Sequence, residues 1–332
     1  MIKSLKLLAV IVLALFVLSI NFGQKSDKPS YGVSFSKFHT DELGLDFKST
    51  YLAILDDLGV RKFRFSAHWP IIEPQEGKYN FSELDFQIEE AEKRNAEVIL
   101  AVGRRLPGWP ECHIPNWAKD LKPIHREEKI LDIIGQTVNR YKNSKSIKYW
   151  QVENEPFLAF FSKEACGSLD EDFLNKEIEL VRSLDPTRQI IVTDSGEFGT
   201  WYQAYRKADV FGTSLYLYVW WKDPVGPFRY PIWPGFFNIK NNLMKLFFST
   251  KPSFVIELSS EPWLRKPIVE TDIDTQFERM GIDKFKEMVD FSSKTGFDTF
   301  YLWGAEWWYW LKLKGYNEHW DYAKTIFSSN KN

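Results

Sequence analysis

The sequence predicts one (β/α)8 barrel, and three observations carry that prediction. Short apolar, β-rich runs alternate with helical segments along the body of the chain, the pattern of a parallel sheet with helices outside it. Eight such units fit into the roughly 300 residues that follow the N-terminal segment, the size of an eight-stranded barrel. An open doubly wound sheet would carry a Gly-rich first turn, whereas the chain after Phe35 reads Ser36, Lys37, Phe38, His39.

The elements follow in order. A first strand at 31–35 leads to a helix at 47–58 and a second strand at 62–65. A helix at 83–95 precedes strand 97–102, and one at 127–141 precedes strand 147–152. Helix 171–184 leads to strand 189–193, and a short helix at 201–207 leads to strand 210–217. Helix 238–248 precedes strand 253–256, and helix 276–293 precedes the last strand, 298–303. No linker or low-complexity tract interrupts them.

Ahead of this body, Lys3 and Lys6 precede an apolar run over 7–20 broken only by Ser19. A charged start and a run of that length have the layout of a secretory signal, and the run falls short of the ~20 apolar residues that comfortably span a bilayer. Ile20, Asn21, Phe22 and Gly23 make a poor cleavage site, so both a cleaved signal and a retained anchor stay open. The expected organisation is a signal peptide or signal anchor at 1–24, a short linker at 25–30 and one folded domain at 31–330. The protein is expected to be exported: extracellular, periplasmic, or tethered through 7–20 and facing outward.

Net charge is −2 with no long run of one sign, so no nucleic-acid partner is expected. Aromatic residues make up 17% of the chain, with 14 Trp. Tryptophan is a demanding core residue because its N–H needs a partner, and many of them point toward a cleft for flat, CH-rich ligands such as sugars. The five histidines show neither His-x-His nor His-Glu-x-x-His spacing, so no catalytic metal and no cofactor are expected.

In a barrel, functional groups gather where strands end. The fourth run ends in Glu153, Asn154, Glu155, Pro156, and the seventh delivers Glu257. The 102 residues between Glu155 and Glu257 match three units of ~31 residues each, which sets both glutamates at equivalent heights on opposite sides of a narrow barrel. Two facing carboxylates can divide glycoside cleavage, one donating a proton to the leaving oxygen and the other attacking the anomeric carbon.

Asn154-Glu155-Pro156 ending strand four, with a Glu ending strand seven, resembles the clan A superfamily of retaining glycoside hydrolases, which includes cellulases, mannanases, β-glucosidases and β-galactosidases. Phe63-Arg64-Phe65-Ser66, Trp69, Glu73-Pro74, Gly77, Tyr79, Phe81 and Leu84-Asp85 look like that clan's second unit. Asp209-Val210 with Gly212 and Tyr216 is similar to its sixth strand, and Leu302-Trp303 to its eighth. The resemblance implies Glu155 as general acid/base and Glu257 as nucleophile. It further implies that Asn154 binds the sugar 2-hydroxyl, that Arg64 holds Glu257 ionised, that Tyr216 hydrogen-bonds Glu257, and that Trp303 lies under the cleaved sugar. Ser214 departs from the family pattern, standing where an Asn is frequent.

Further expectations attach to single residues. His68 and Trp69 follow strand two and are candidate sugar contacts. Glu153 is expected deeper in the barrel than Glu155, paired with a cation, and Glu261 is expected in a loop as a subsite or structural residue. Adjacent strands feed the loops that hold Cys112 and Cys166, so these two are expected to form a disulfide at the rim. The aromatic segment 220–237 is expected to wall the cleft, and Trp307, Trp308 and Trp310 to add aromatic surface. The leading expectation is therefore a retaining β-glycoside hydrolase acting on a carbohydrate substrate; a catalytically silent carbohydrate-binding barrel is the alternative.

Overall fold

In the computed structural model, which describes residues 26, 28–108, 112–158, 166, 170–220 and 224–328, eight parallel strands close on themselves. They are β1 (Ser30–Ser34), β2 (Lys62–Ser66), β3 (Glu97–Val102), β4 (Ile147–Val152), β5 (Gln189–Asp194) and β6 (Val210–Leu215). A small antiparallel pair, β7 (Tyr218–Trp220) and β8 (Pro227–Arg229), intervenes before β9 (Ser253–Ser259) and β10 (Thr299–Trp303). Each barrel strand pairs with the next in sequence, β6 with β9 past the hairpin, and β10 closes on β1. The fold is the (β/α)8 barrel that the alternation of elements predicts. The expectations for 1–24, and the position of Trp109, lie outside the described residues.

Helices return the chain between strands, and short polar residues start several of them. Asp46 accepts from the Ser49 amide at 2.8 Å ahead of the helix Phe47–Asp56, and Asp170 caps Glu171–Leu184 in the same way. Such caps satisfy amides that the first helical turn leaves open. The single helix expected at 276–293 is two, Ile273–Met280 and Ile282–Ser293, because Gly281 between them is extended.

Apolar side chains fill two layers. Ile99, Ile191, Val210, Phe254, Ile256 and Tyr301 pack inside the barrel, and a larger set packs between strands and helices. Tryptophan serves the core here more than the sequence suggests. Trp69, Trp150, Trp201, Trp307, Trp308 and Trp320 are fully buried, and each donates its indole N–H, to Glu73, Asp185, Ser195 O, Gln276, Ser260 O and Asp57 respectively. Those acceptors remove the desolvation cost that makes a buried indole unfavourable. Trp307, Trp308 and Trp310 lie on the helix Ala305–Leu313 and pack into the core rather than adding open aromatic surface.

One irregularity bears directly on the barrel mouth. Thr213 pairs with Val255 but Ser214 with Glu257, so β9 carries one extra residue; the β10 side shows the same excess between Val255 and Leu258. A bulge of this kind re-aims a side chain. Phe254 and Ile256 face the interior, while Val255 and Leu258 face the helices. The extra residue lets Glu257 face inward directly after Ile256.

Candidate active site

Arg64 on β2 is the centre of the rim network. It is 1% exposed and divides its guanidinium between β9 and the end of β4. Nη1 donates to Glu257 Oε1 at 2.9 Å, Nη2 to Asn154 Oδ1 at 2.7 Å, and Nε to Gln151 Oε1 at 2.8 Å. The planar fork suits this division, and a charge-assisted pair is among the stronger hydrogen bonds.

The end of β4 explains how two consecutive side chains reach the same space. Glu153 and Glu155 hold left-handed backbone, with φ of 56° and 44°, a region uncommon for residues with a Cβ and one that clusters at functional sites. Strand alternation therefore stops at Val152. Asn154 faces Arg64, and the Glu155 N–H donates to Thr193 Oγ1 at 2.7 Å. Glu153 is turned aside rather than deeper into the barrel. Its carboxylate accepts from the amides of Arg104 at 2.9 Å and Arg105 at 2.6 Å, in the loop after β3. Burial, then the neighbouring Glu153 carboxylate, pushes Glu177 well above the ordinary carboxylate range. Gly103 makes room for this arrangement, since a Cβ there would meet Glu153 Oε1 at 2.5 Å.

Across the mouth, β6 supplies Ser214 and the chain beyond it Tyr216. The Ser214 hydroxyl donates to Glu155 Oε1 at 2.7 Å and accepts from the Gly196 amide at 3.1 Å. Tyr216 is raised well above its usual value, by burial first and then by the negative field of Glu257, Glu155 and Glu261. No hydrogen bond joins Tyr216 to Glu257 among the described residues; the Tyr216 ring instead meets Trp263 edge-on at 5.2 Å. The Tyr216 amide donates to Glu197 Oε1 at 2.7 Å, and burial pushes the Glu197 carboxyl up to about 7.

Trp303 at the end of β10 is held from behind. Its Nε1–H donates to Glu261 Oε1 at 2.7 Å, and the other oxygen of Glu261 lies 2.7 Å from His39 Nε2. Burial works against a charged His39, yet the carboxylates of Glu261, Glu42 and Glu306 together outweigh it and raise the imidazole well above its ordinary value. Glu261 therefore positions Trp303. Glu306 accepts from the Ser36 amide at 2.6 Å, and burial pushes it up to about 7.

Two expected sugar contacts lie elsewhere. Trp69 has no surface to offer a sugar: it is fully buried, donates to Glu73 Oε2 at 2.7 Å and packs edge-on against Trp117 at 5.5 Å. It opens the short helix Trp69–Ile72, which turns its ring into the core. His68 is buried against Phe38 and His113, ring centroids 4.6 Å from each, and burial pushes it well below its usual value. Its Nε2 has no hydrogen-bond partner among the described residues.

The described part of the segment expected to wall the cleft packs toward the helices and the core. Tyr218 and Arg229 of the hairpin both bond Glu287 on the helix Ile282–Ser293, and Phe237 is fully buried against the core. Cys112 and Cys166 are paired in the structure, Cα atoms 5.3 Å apart. Gln151, Thr193, Ser214 as a partner of Glu155, and Glu197 are the site residues that sequence reasoning missed. Gln151 and Thr193 sit at inward positions near strand ends, which is the one signal that could have found them.

A β-galactosidase family model matches residues 48–185. The β-galactosidase LacZ of Lactobacillus acidophilus is 27% identical over 104 residues, covering 26% of this chain and 16% of that protein. Endo-1,4-beta-xylanase 2 of Claviceps purpurea is 26% identical over 129 residues, 37% of each. Among solved structures, a β-galactosidase from Halorubrum lacusprofundi superposes with a TM-score of 0.57 at 16% identity, over 82% of this chain and 52% of that one. An endo-beta-1,4-xylanase from Gloeophyllum trabeum gives 0.53 at 14% identity, over 85% of each chain. At these identities the structural likeness is one of fold. The chain spans about half of the solved galactosidase, and the match covers a sixth of the curated one.

Proposed function

We propose that this member of the clan A glycoside hydrolases is a retaining β-glycoside hydrolase in which Glu155 is the acid/base and Glu257 the nucleophile. One observation carries the reading: a single buried guanidinium, Arg64, ties Glu257 to the asparagine that precedes Glu155.

In the first step a Glu257 oxygen attacks the anomeric carbon while Glu155 gives its proton to the departing glycosidic oxygen. In the second, Glu155 takes a proton from water, the water oxygen bonds to the same carbon, and Glu257 leaves as the carboxylate. Arg64 donates to Glu257 throughout and fixes its rotamer. Asn154 has its Oδ1 committed to Arg64, so its amide N–H groups are left for the sugar 2-hydroxyl. Trp303, braced by Glu261, supplies the platform beneath the ring. The relatives' names make β-galactosides and β-1,4-xylo-oligosaccharides the first substrates to try, and the acceptor of the glycosyl group is water.

The test is hydrolysis of a panel of aryl β-galactosides, glucosides, mannosides and xylosides by the wild-type chain, Glu257→Ala and Glu155→Ala, with and without azide. Rescue of Glu257→Ala as an inverted glycosyl azide, and of Glu155→Ala as a retained one, is the expected pattern. Wild-type protein that binds oligosaccharide but turns over none of the panel would instead favour the silent binding barrel.

A further inference from the structure

The helix Pro234–Phe247 carries apolar side chains out of the fold at its C-terminal end. Leu246 is 75% exposed and Phe247 68%, with Leu243 and Phe248 also open to solvent. Leu243, Leu246 and Phe247 fall at i, i+3 and i+4, so they share one helix face. Scattered exposed leucines are ordinary, but a grouped apolar face marks a contact surface.

Its place in the barrel indicates what it contacts. Lys245 and Lys251, on either side of the tip, line a cavity of about 370 Å³ with Lys62, Glu97, Asp298 and Thr299. The last four begin or lead into β2, β3 and β10, so the tip lies at the N-terminal end of the strands, opposite the rim that holds Glu155 and Glu257. The chain also enters the fold at this end: the Ser26 amide donates to Ser293 O at 3.0 Å and the Ser30 amide to Asp298 O at 2.7 Å. The apolar run 7–20 stops six residues before Ser26, and six extended residues reach at most about 20 Å. A bilayer that takes up that run is therefore within reach of the exposed tip. Lys62 there pairs with Glu97 at 3.8 Å and Lys251 donates to the Tyr205 and Ala208 carbonyls, while Lys28, Lys148 and Lys245 at the same end are the lysines drawn to anionic headgroups at a membrane surface.

We infer that this end of the barrel is a membrane-facing surface. Leu243, Leu246, Phe247 and Phe248 enter the headgroup region of an anionic bilayer, the lysines around them meet its phosphates, and the rim with Glu155 and Glu257 is turned away from the lipid. Four side chains give too small a patch to cover an apolar run of fourteen residues broken only by Ser19.

The test uses the full chain carrying an environment-sensitive fluorophore at Phe247→Cys or, as the opposite-face control, at Ile124→Cys. Ile124 is 56% exposed in the first turn of the helix that follows the β3 rim loop. Labelling without reductant leaves Cys112 and Cys166 paired. Vesicles of phosphatidylcholine with phosphatidylglycerol should blue-shift the label at 247 and bring it within reach of bromolipid quenching, leave the label at 124 unchanged, and act more strongly than phosphatidylcholine alone. Absence of a shift at 247, quenching at 124 instead, or equal effects of the two lipids would overturn the inference. A blue shift at 247 before vesicles are added would also overturn it: one that grows with protein concentration assigns the tip to a second copy, and one independent of concentration assigns it to the chain's own N-terminal segment.

Discussion

Ser214 donates its hydroxyl to Oε1 of Glu155 at 2.7 Å while its Cα lies in register with Glu257 on the neighbouring strand. One small side chain thus links the strands that carry both proposed catalytic carboxylates. A neutral hydrogen bond contributes about 0.5–1.5 kcal/mol. Ser214→Ala should therefore lower kcat/KM roughly 2- to 10-fold on the best aryl glycoside with little change in melting temperature, because the alanine fills the same inward position. An unchanged kcat/KM would remove Ser214 from the positioning network.

Two tryptophans separate a substrate role from a packing role. Trp303 is half-buried at the mouth and Trp69 fully buried behind it. Trp303→Ala should raise KM about fivefold, the loss of a stacking contact of about 1 kcal/mol. Trp69→Phe should leave KM alone and cost about 1–3 kcal/mol of stability, because it strips the buried Glu73 carboxylate of a donor. Steady-state kinetics and urea unfolding on both variants read the two effects separately.

Glu306 gives the fold a pH dependence with a definite sign. Burial raises its folded value from the ordinary 4.5 to about 7, so the folded state holds the proton more tightly than the unfolded chain. The stability this contributes is full below about 4.5 and is lost as pH rises through about 7, an effect of up to about 3 kcal/mol. His39, also raised, acts in the same direction at higher pH. Glu306→Gln retains an acceptor for the Ser36 amide and lacks the titration. Its stability relative to wild type should therefore improve between pH 4.5 and 8, as measured by urea unfolding across that range. A difference independent of pH would contradict the assignment.

The Cys112–Cys166 pair encloses a separation of 54 residues and joins the loop after β3 to the loop after β4. Constraining an unfolded loop of that length is worth about 4 kcal/mol in chain-entropy terms. The native chain should resist thiol labelling until reduced, with mass spectrometry reporting no adduct. Cys112→Ser should lower the unfolding midpoint by a comparable free energy.

The sequence by itself determined the order and number of the barrel units, because apolar periodicity and helix-starting residues such as Asp46 and Asp170 are local properties. It also set Glu155 and Glu257 at strand ends across the barrel, while the roles proposed for Asn154 and Arg64 came from the resemblance to clan A glycoside hydrolases. Only the tertiary structure decided which way these side chains face. Strict alternation places Glu153 with Glu155 and turns Glu257 away from Ile256. The left-handed backbone at Glu153 and Glu155 and the extra residue in β9 reverse both outcomes. The fate of the tryptophans was equally hidden, because an indole is suited to a core only when an acceptor such as Glu73, Asp185 or Gln276 meets its N–H. Those acceptors lie on other turns and other elements of the fold, and a partnership of that kind exists only once distant segments have been brought together in space.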